Sequence, residues 1–221
     1  QESKWHIYDV FTHTDIALNH STGFTLEEKL AIVLHDIGKA QTKTYDGHGN
    51  AHFYGHPKIS AALAQQALAA LRYPKAVIQT VTTLIRYHDY TLHPNRKAMR
   101  RFLAHVDMDM GMAQAILRVQ IADDLAKHPQ MAKEKRLRVQ ACQTLLQEME
   151  ESEPPLRLQD LAINGHDLLA LGYEGKRIGQ ALSYLYQKVL DDPTFNEREI
   201  LLQCLTQSTT LQPSKQVKAV N

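Results

Sequence analysis

A histidine and an aspartate stand side by side at His35-Asp36, directly after the five apolar residues 30–34. A helix that is apolar on all sides is typically buried, and an imidazole and a carboxylate are costly to bury unless they pair or bind a metal. One interpretation is a buried hydrogen bond between them that supports the core. The other is a shared cation at the helix end, where Gly38 would end the helix and Lys39 would offer a positive charge to an anionic substrate.

Three further helices are each predicted to direct one ionisable side chain into the core, because that residue falls on the apolar face of its helix. These residues are His13, His88 and Asp123. A lone buried histidine is usually an ordinary core residue. An aspartate in the middle of a buried helical face needs a partner, however, and a metal ion is a natural one. Four helices that contribute such groups favour one shared polar site.

Two further ionisable residues, His56 and Asp124, also have to be assigned to the site or to the surface. His56, at the start of the helix predicted over 57–71, is either a further contributor or a helix-capping or turn residue. Asp124 aligns with Gln120, Lys127 and His128, so it is predicted to face solvent. Histidine and carboxylate ligands without thiolates suit divalent ions of Mn, Fe, Ni, Co or Mg.

Helical periodicity dominates the chain, and we predict an all-α fold: a helical bundle with a small C-terminal helical extension. A short hairpin is predicted from 42–45 and 51–54 across the turn at 46–49. The predicted helices span 6–20, 26–38, 57–71, 74–90, 95–105, 109–128, 131–152, 165–170, 175–191 and 196–206.

An acidic segment at 148–153 precedes Pro154-Pro155, a combination that is typical of a linker. We therefore predict a first domain over 1–153 and a helical extension over 154–206. Residues 207–221 are polar and are predicted to form a flexible tail.

The composition limits the classes of protein that the chain can belong to. Hydrophobic residues make up 43% of the 221 residues, which is enough for a core, and 25 basic residues balance 24 acidic ones. No apolar run approaches the length of about 18 residues that a membrane span needs. The two cysteines show no disulfide spacing, so we expect a cytoplasmic protein.

Two local basic clusters could bind phosphate or RNA although the overall charge is balanced. Lys176-Arg177 begins the helix predicted over 175–191, and a helix N-terminus favours anions. The second cluster contains Arg100 and Arg101, preceded by Arg96 and Lys97. For each cluster the alternative is a solvated helix face.

The order of the candidate ligands resembles the pattern of the HD-domain metal-dependent phosphohydrolase superfamily. Residues 35–39, His-Asp-Ile-Gly-Lys, are similar to its most recognisable segment, and residues 122–126 resemble its later Ala-Asp-x-x-Ala motif. The resemblance implies an HD-type helical bundle, catalytic roles for Asp36 and Lys39, and a bridging role for Asp36 if two ions bind. The metal ligands that it implies are His13, His35, Asp36 and Asp123, with His56 and His88 for a second ion.

A narrower resemblance, over about residues 4–205, is to the HD and RNA-binding regions of bacterial CCA-adding tRNA nucleotidyltransferases. It is carried by 52–57, 71–74, 161–169 and 171–179. The nucleotidyltransferase head of that family, with its Gly-Ser and paired-carboxylate motif, does not precede this region. We therefore expect no nucleotide addition, and the sequence is either a fragment or a relative without that head.

The resemblance implies hydrolysis of phosphoesters, either 2′,3′-cyclic phosphodiesters or phosphomonoesters, on nucleotides or RNA ends. The expected partners are such a phosphoester substrate and tRNA. One alternative is a non-catalytic tRNA-binding fragment of a CCA-adding enzyme. Another is a hydrolase of small nucleotides without an RNA role, against which the segment 160–205 argues.

Overall fold

The computed structural model describes residues 8–153, 156–208 and 211, and in these residues the fold is mostly helical, which confirms the predicted all-α class. The one small sheet of the described residues is an antiparallel hairpin of β1 (Thr44–Tyr45) and β2 (Ala51–His52), also as predicted. The helices are α1 (Val10–Asn19), α2 (Leu26–Leu34), α3 (Lys39–Thr42), α4 (His56–Ala70), α5 (Lys75–Tyr87), α6 (Arg96–His105), α7 (Met110–Leu125), α8 (Pro129–Ser152), α9 (Gly165–Ala170), α10 (Lys176–Asp191) and α11 (Arg198–Gln207).

The predicted helix over 26–38 is wrong at its C-terminal end. Helix α2 stops at Leu34, a turn follows, and Lys39 begins the separate short helix α3. The turn packs so closely on α4 that a Cβ on Gly38 would lie 2.6 Å from the backbone nitrogen of Ser60. The segment before the turn is not buried on all sides either, because Val33 is 44% exposed. A turn that packs against α4 has therefore replaced the last helical turn.

The first compact unit contains the described residues up to Asn95 together with Asp109–Glu151. Helices α4 and α5 pack side by side, and α7 contacts α1, α2 and α5. A small apolar cluster joins three of these helices through Ala17 of α1, Ile32 of α2, and Val119 and Ala122 of α7. This packing holds the N-terminal helices against α7.

The second compact unit contains Arg96–Met108 together with the described residues from Ser152 onward. Its core includes Leu168 of α9, Leu185 of α10 and Leu201 of α11. Helix α6 belongs to this unit by its contacts although it precedes α7 in the chain. Pro154-Pro155 and most of 207–221 lie outside the described residues, and the predicted boundaries of 1–153, 154–206 and 207–221 stay predictions. No helix among the described residues has the length and apolar character needed to cross a bilayer.

Candidate metal centre

Six residues predicted from the sequence meet inside the first unit. Their side chains come from α1, from the turn after α2, from the N-terminus of α4, from the C-terminal end of α5 and from α7. All six are buried: His13, His35, Asp36, His56, His88 and Asp123.

All four histidines of this cluster turn the same ring nitrogen towards the backbone. In each ring Nδ1 lies within hydrogen-bond distance of a carbonyl oxygen, at 2.6 to 3.1 Å. Because a carbonyl can only accept, Nδ1 must carry the hydrogen and donate it. A neutral ring then has its lone pair on Nε2. The carbonyls belong to Ala126 (for His13), Ile32 (for His35), Phe53 (for His56) and Ile85 (for His88).

The Nε2 atoms converge in two pairs. Those of His13 and His35 are 3.4 Å apart, and those of His56 and His88 are 3.2 Å apart. Two nitrogen lone pairs cannot bond each other at these distances, so each pair requires a proton or a cation. Fixing the tautomer through a backbone carbonyl is also how proteins orient histidines that bind metals.

Two carboxylates complete the cluster. Oδ1 of Asp123 lies 2.9 Å from Nε2 of His13 and 3.4 Å from that of His35. Asp36 lies between the two histidine pairs, with Oδ2 3.2 Å from Nε2 of His35 and Oδ1 3.3 Å from Nε2 of His56. Two groups could therefore each hold a metal ion, and they share Asp36: one is His13, His35 and Asp36, and the other is Asp36, His56 and His88.

The carboxylate of Asp36 is poorly satisfied by the protein. Both of its oxygens are buried, and neither accepts a well-aligned hydrogen bond from a described residue. Lys39 approaches, with Nζ 2.7 Å from Oδ2, but as an ion pair. Buried carboxylate oxygens are almost always bonded, so an ion between the histidine pairs fits this position.

The charges of the cluster shift the protonation of its members when no metal is bound. Burial lowers the pKa of His35, but the carboxylates of Asp36 and Asp123 outweigh burial and raise it to about 10. Burial raises the pKa of Asp36, yet His35, His56 and Lys39 together hold it well below its usual range. Burial and the neighbouring His35 lower the pKa of His88 to about 3. In the metal-free protein a proton on His35 thus supplies positive charge to the cluster.

A second layer of charges lies behind Asp123. The prediction that Asp124 faces solvent is wrong, since it is fully buried, as is Gln120 on the same face of the helix. Helix α7 contacts α1, α2 and α5, which leaves it few exposed positions, and Gln120 donates to the carbonyls of Tyr87 and Tyr90. Asp124 accepts from Lys127, which also donates to Asp123. The spacing of four between Asp123 and Lys127 is a helical ion-pair signal that the sequence interpretation missed.

A cavity of about 720 Å³ opens onto the cluster. Asp36, Lys39, His56 and His88 contribute to its wall. Aromatic side chains also line it, among them Tyr54, which is 77% exposed and stacks on His52 with ring centroids 5.1 Å apart. The cationic residues of the wall are Lys39, Arg86, Lys127, Lys135 and Arg138.

The two basic clusters predicted to bind phosphate or RNA lie in the second unit. Arg100 donates to the carbonyl of Leu190 and pairs with Glu153, and Arg101 pairs with Asp191. Both guanidinium groups are thus already engaged in contacts within the protein. Lys176 and Arg177 are exposed in the first turn of α10. Binding of RNA or phosphate by either cluster stays a prediction.

Comparison with known proteins places the chain in a family. Residues 51–205 match the family described as tRNA nucleotidyltransferase domain 2. The chain belongs to this family. The matched range contains His56, His88 and Asp123, whereas His13 and the 35–39 segment precede it.

One curated relative supports the same assignment. Over 165 residues the chain is 32% identical to a protein named CC-adding tRNA nucleotidyltransferase from Thermus thermophilus. The aligned region is 73% of this chain and 36% of the relative. The chain therefore spans about a third of the length of that relative.

Proposed function

We propose that this region is an HD-type phosphohydrolase that uses one or two divalent metal ions. Its substrates would be phosphoesters of nucleotides or RNA ends, either 2′,3′-cyclic phosphodiesters or phosphomonoesters. The observation that carries the proposal is the convergence of four imidazole Nε2 atoms on the carboxylate of Asp36, whose buried oxygens accept no aligned hydrogen bond. Such a group of facing acceptors is stable only around positive charge.

The donor set fits a catalytic rather than a structural ion. His13, His35, Asp36 and Asp123 would hold one ion, and Asp36, His56 and His88 a second. All six offer nitrogen or oxygen, which suits Mn, Fe, Ni, Co or Mg. A bound divalent ion supplies a water of lowered pKa and polarises a phosphoryl oxygen.

The chain's own residues around the cluster support binding of a phosphoester. Lys39 lines the cavity beside Asp36, where its ammonium group can neutralise negative charge on a phosphate. The exposed ring of Tyr54, stacked on His52, offers a surface on which a nucleobase can stack. A cavity whose wall includes both cations and a stacked aromatic pair favours a nucleotide over a simple phosphate ester.

The test is hydrolysis before and after metal removal. The purified protein is treated with a chelator, then supplied with Mn²⁺, Ni²⁺, Co²⁺, Fe²⁺ or Mg²⁺, and assayed on 2′,3′-cyclic AMP, 3′-AMP and bis(p-nitrophenyl) phosphate. We expect activity to vanish on stripping and to return with at least one ion. The combined substitution His35→Ala and Asp36→Ala should abolish it, while His20→Ala, at an exposed histidine, should not. Activity that survives the chelator or the double substitution would contradict the proposal.

A second candidate function is non-catalytic binding of tRNA, with the helical bundle only as a support. The family match favours it, and so does the name of the relative from Thermus thermophilus. The exposed Lys176-Arg177 pair at the start of α10 is the site that we would test. Binding of tRNA should weaken steeply with salt, and Lys176→Gln with Arg177→Gln should weaken it further. Absence of tRNA binding at low salt would remove this candidate. Both functions are compatible with the cytoplasmic setting that we propose.

A further inference from the structure

We propose that Arg138 binds a second phosphate of the substrate, so that the cavity prefers a nucleotide with a phosphate on each side of its ribose over one with a single phosphate. This inference rests on the proposed function, because it assumes that one phosphoester lies at the Asp36 cluster. It adds the class of substrate: an RNA end, or a nucleoside 3′,5′-bisphosphate as its smallest form.

Among the residues that the structure describes, Arg138 is the cation of the cavity whose Nε is buried without a hydrogen-bond partner. Its Nε is buried and makes no hydrogen bond, and its guanidinium forms no ion pair with any residue that the structure describes. A buried guanidinium N–H without an acceptor is costly. An anion in the cavity would satisfy it, and a guanidinium is suited to phosphate because it can donate two parallel hydrogen bonds.

Other cations of the wall are already paired or solvated. Lys127 donates to Asp123 and Asp124, and Lys135 lies 3.0 Å from Asp89 and 3.2 Å from Asp124. Arg86 is exposed, so water already solvates it. Arg138 thus combines a cavity position with an unsatisfied buried donor.

Arg138 lies on α8 about one helical turn after Lys135. Lys135, one turn earlier on the same helix, reaches Asp124, the neighbour of the predicted ligand Asp123. Residues three apart on a helix share a face, and one turn advances about 5 Å along the axis. Arg138 therefore lines the same cavity as the cluster, at a point further along α8 than the contact to Asp124. We therefore assign Arg138 to a phosphate other than the one at the cluster.

The experiment compares the binding of two probes by isothermal titration calorimetry, after metal removal with a chelator so that neither probe is hydrolysed. The probes are 3′-AMP and adenosine 3′,5′-bisphosphate, which differ only by the 5′-phosphate. The proteins are the unchanged chain, Arg138→Gln, and the matched control Arg136→Gln on the same helix, which does not line the cavity. Thermal unfolding of each variant monitors the fold.

We expect the unchanged chain and Arg136→Gln to bind the bisphosphate roughly 10-fold to 100-fold more tightly than 3′-AMP, as a charged hydrogen-bonded contact would give. Arg138→Gln should lose this preference and bind 3′-AMP as before. Equal affinities in the unchanged chain, or a preference that survives Arg138→Gln, would overturn the inference. Neither result affects the proposed hydrolysis, which the metal-stripping assay decides separately. The ratio of the two affinities in the unchanged chain is measured without any variant. The inference can therefore be contradicted even if Arg138→Gln does not fold.

Discussion

Lys127 follows Asp123 by one helical turn and donates to Oδ2 of that carboxylate, which leaves Oδ1 directed at His13, 2.9 Å from its Nε2. The two oxygens of one buried carboxylate therefore have different partners, a cation on one side and the histidine cluster on the other. Lys127 also reaches Asp124, so its position is itself fixed by two carboxylates.

Loss of Lys127 should weaken metal binding. Lys127→Met removes the donor that orients Asp123, and removal of such a supporting group typically costs 10-fold to 100-fold in metal affinity or activity. Lys127→Arg should recover part of the loss. Metal titration monitored by calorimetry measures the effect, with the exposed Lys133→Met as the control. Unchanged metal affinity in Lys127→Met would show that Asp123 needs no such support.

Two metal ions sharing Asp36 predict a graded response to loss of single histidines. His88→Ala leaves the group of His13, His35 and Asp36 intact, so the bound metal should fall from two ions to one. Elemental analysis of the dialysed protein measures this ratio, with the exposed His48→Ala as the control. A ratio of one in the unchanged protein would instead indicate a mononuclear centre.

Loss of the aromatic pair at the cavity wall should weaken the binding of nucleotides but not of substrates without a base. Tyr54→Ala removes the exposed ring that stacks on His52, and loss of a base–aromatic stack costs about 1–3 kcal/mol. We expect a KM for 2′,3′-cyclic AMP raised about 5-fold or more, with little change for bis(p-nitrophenyl) phosphate. Tyr45, which is exposed but does not line the cavity, provides the control substitution Tyr45→Ala. Equal effects on both substrates would argue against stacking.

Gly38 should tolerate no side chain. A Cβ there would meet the backbone nitrogen of Ser60 at 2.6 Å and the carbonyl oxygen of His56 at 2.8 Å, and backbone atoms cannot move aside cheaply. Gly38→Ala should lower the free energy of unfolding by about 1–3 kcal/mol, as overpacking does, and should also displace His56. Urea unfolding measures the loss. Gly47→Ala, which has open space around its Cβ, should be close to neutral.

The stability of the metal-free protein should fall as pH rises above neutrality. The folded pKa of His35 is raised to about 10 from an ordinary 6.5, so its stabilising contribution is full below pH 6.5 and is lost as pH rises through 10. The loss between pH 7 and pH 9.5 should be on the order of a few kcal/mol. Urea unfolding in the presence of a chelator measures it, and His35→Gln should flatten the slope. A stability that rises over this interval would contradict the protonated His35.

Local chemistry in the sequence determined the helices and the identity of the inward ionisable residues. The apolar spacing around His13, His88 and Asp123 is a property of a single helix, and it correctly predicted that these side chains are buried. The same reasoning failed at Asp124, because burial there depends on how many helices surround α7. The apolar pattern of one helix does not show how many other helices pack around it.

Only the tertiary structure decided how the groups face one another. The backbone carbonyls that orient the imidazoles include one from a distant part of the chain, since Nδ1 of His13 pairs with the carbonyl of Ala126, 113 residues away. The break of α2 before His35 likewise follows from the close approach of Gly38 to Ser60, which no local propensity encodes. The side-chain types and the helical period could thus be predicted from the sequence. The ring tautomers, the central position of Asp36 and the unsatisfied Nε of Arg138 depend on contacts between segments that are far apart in sequence.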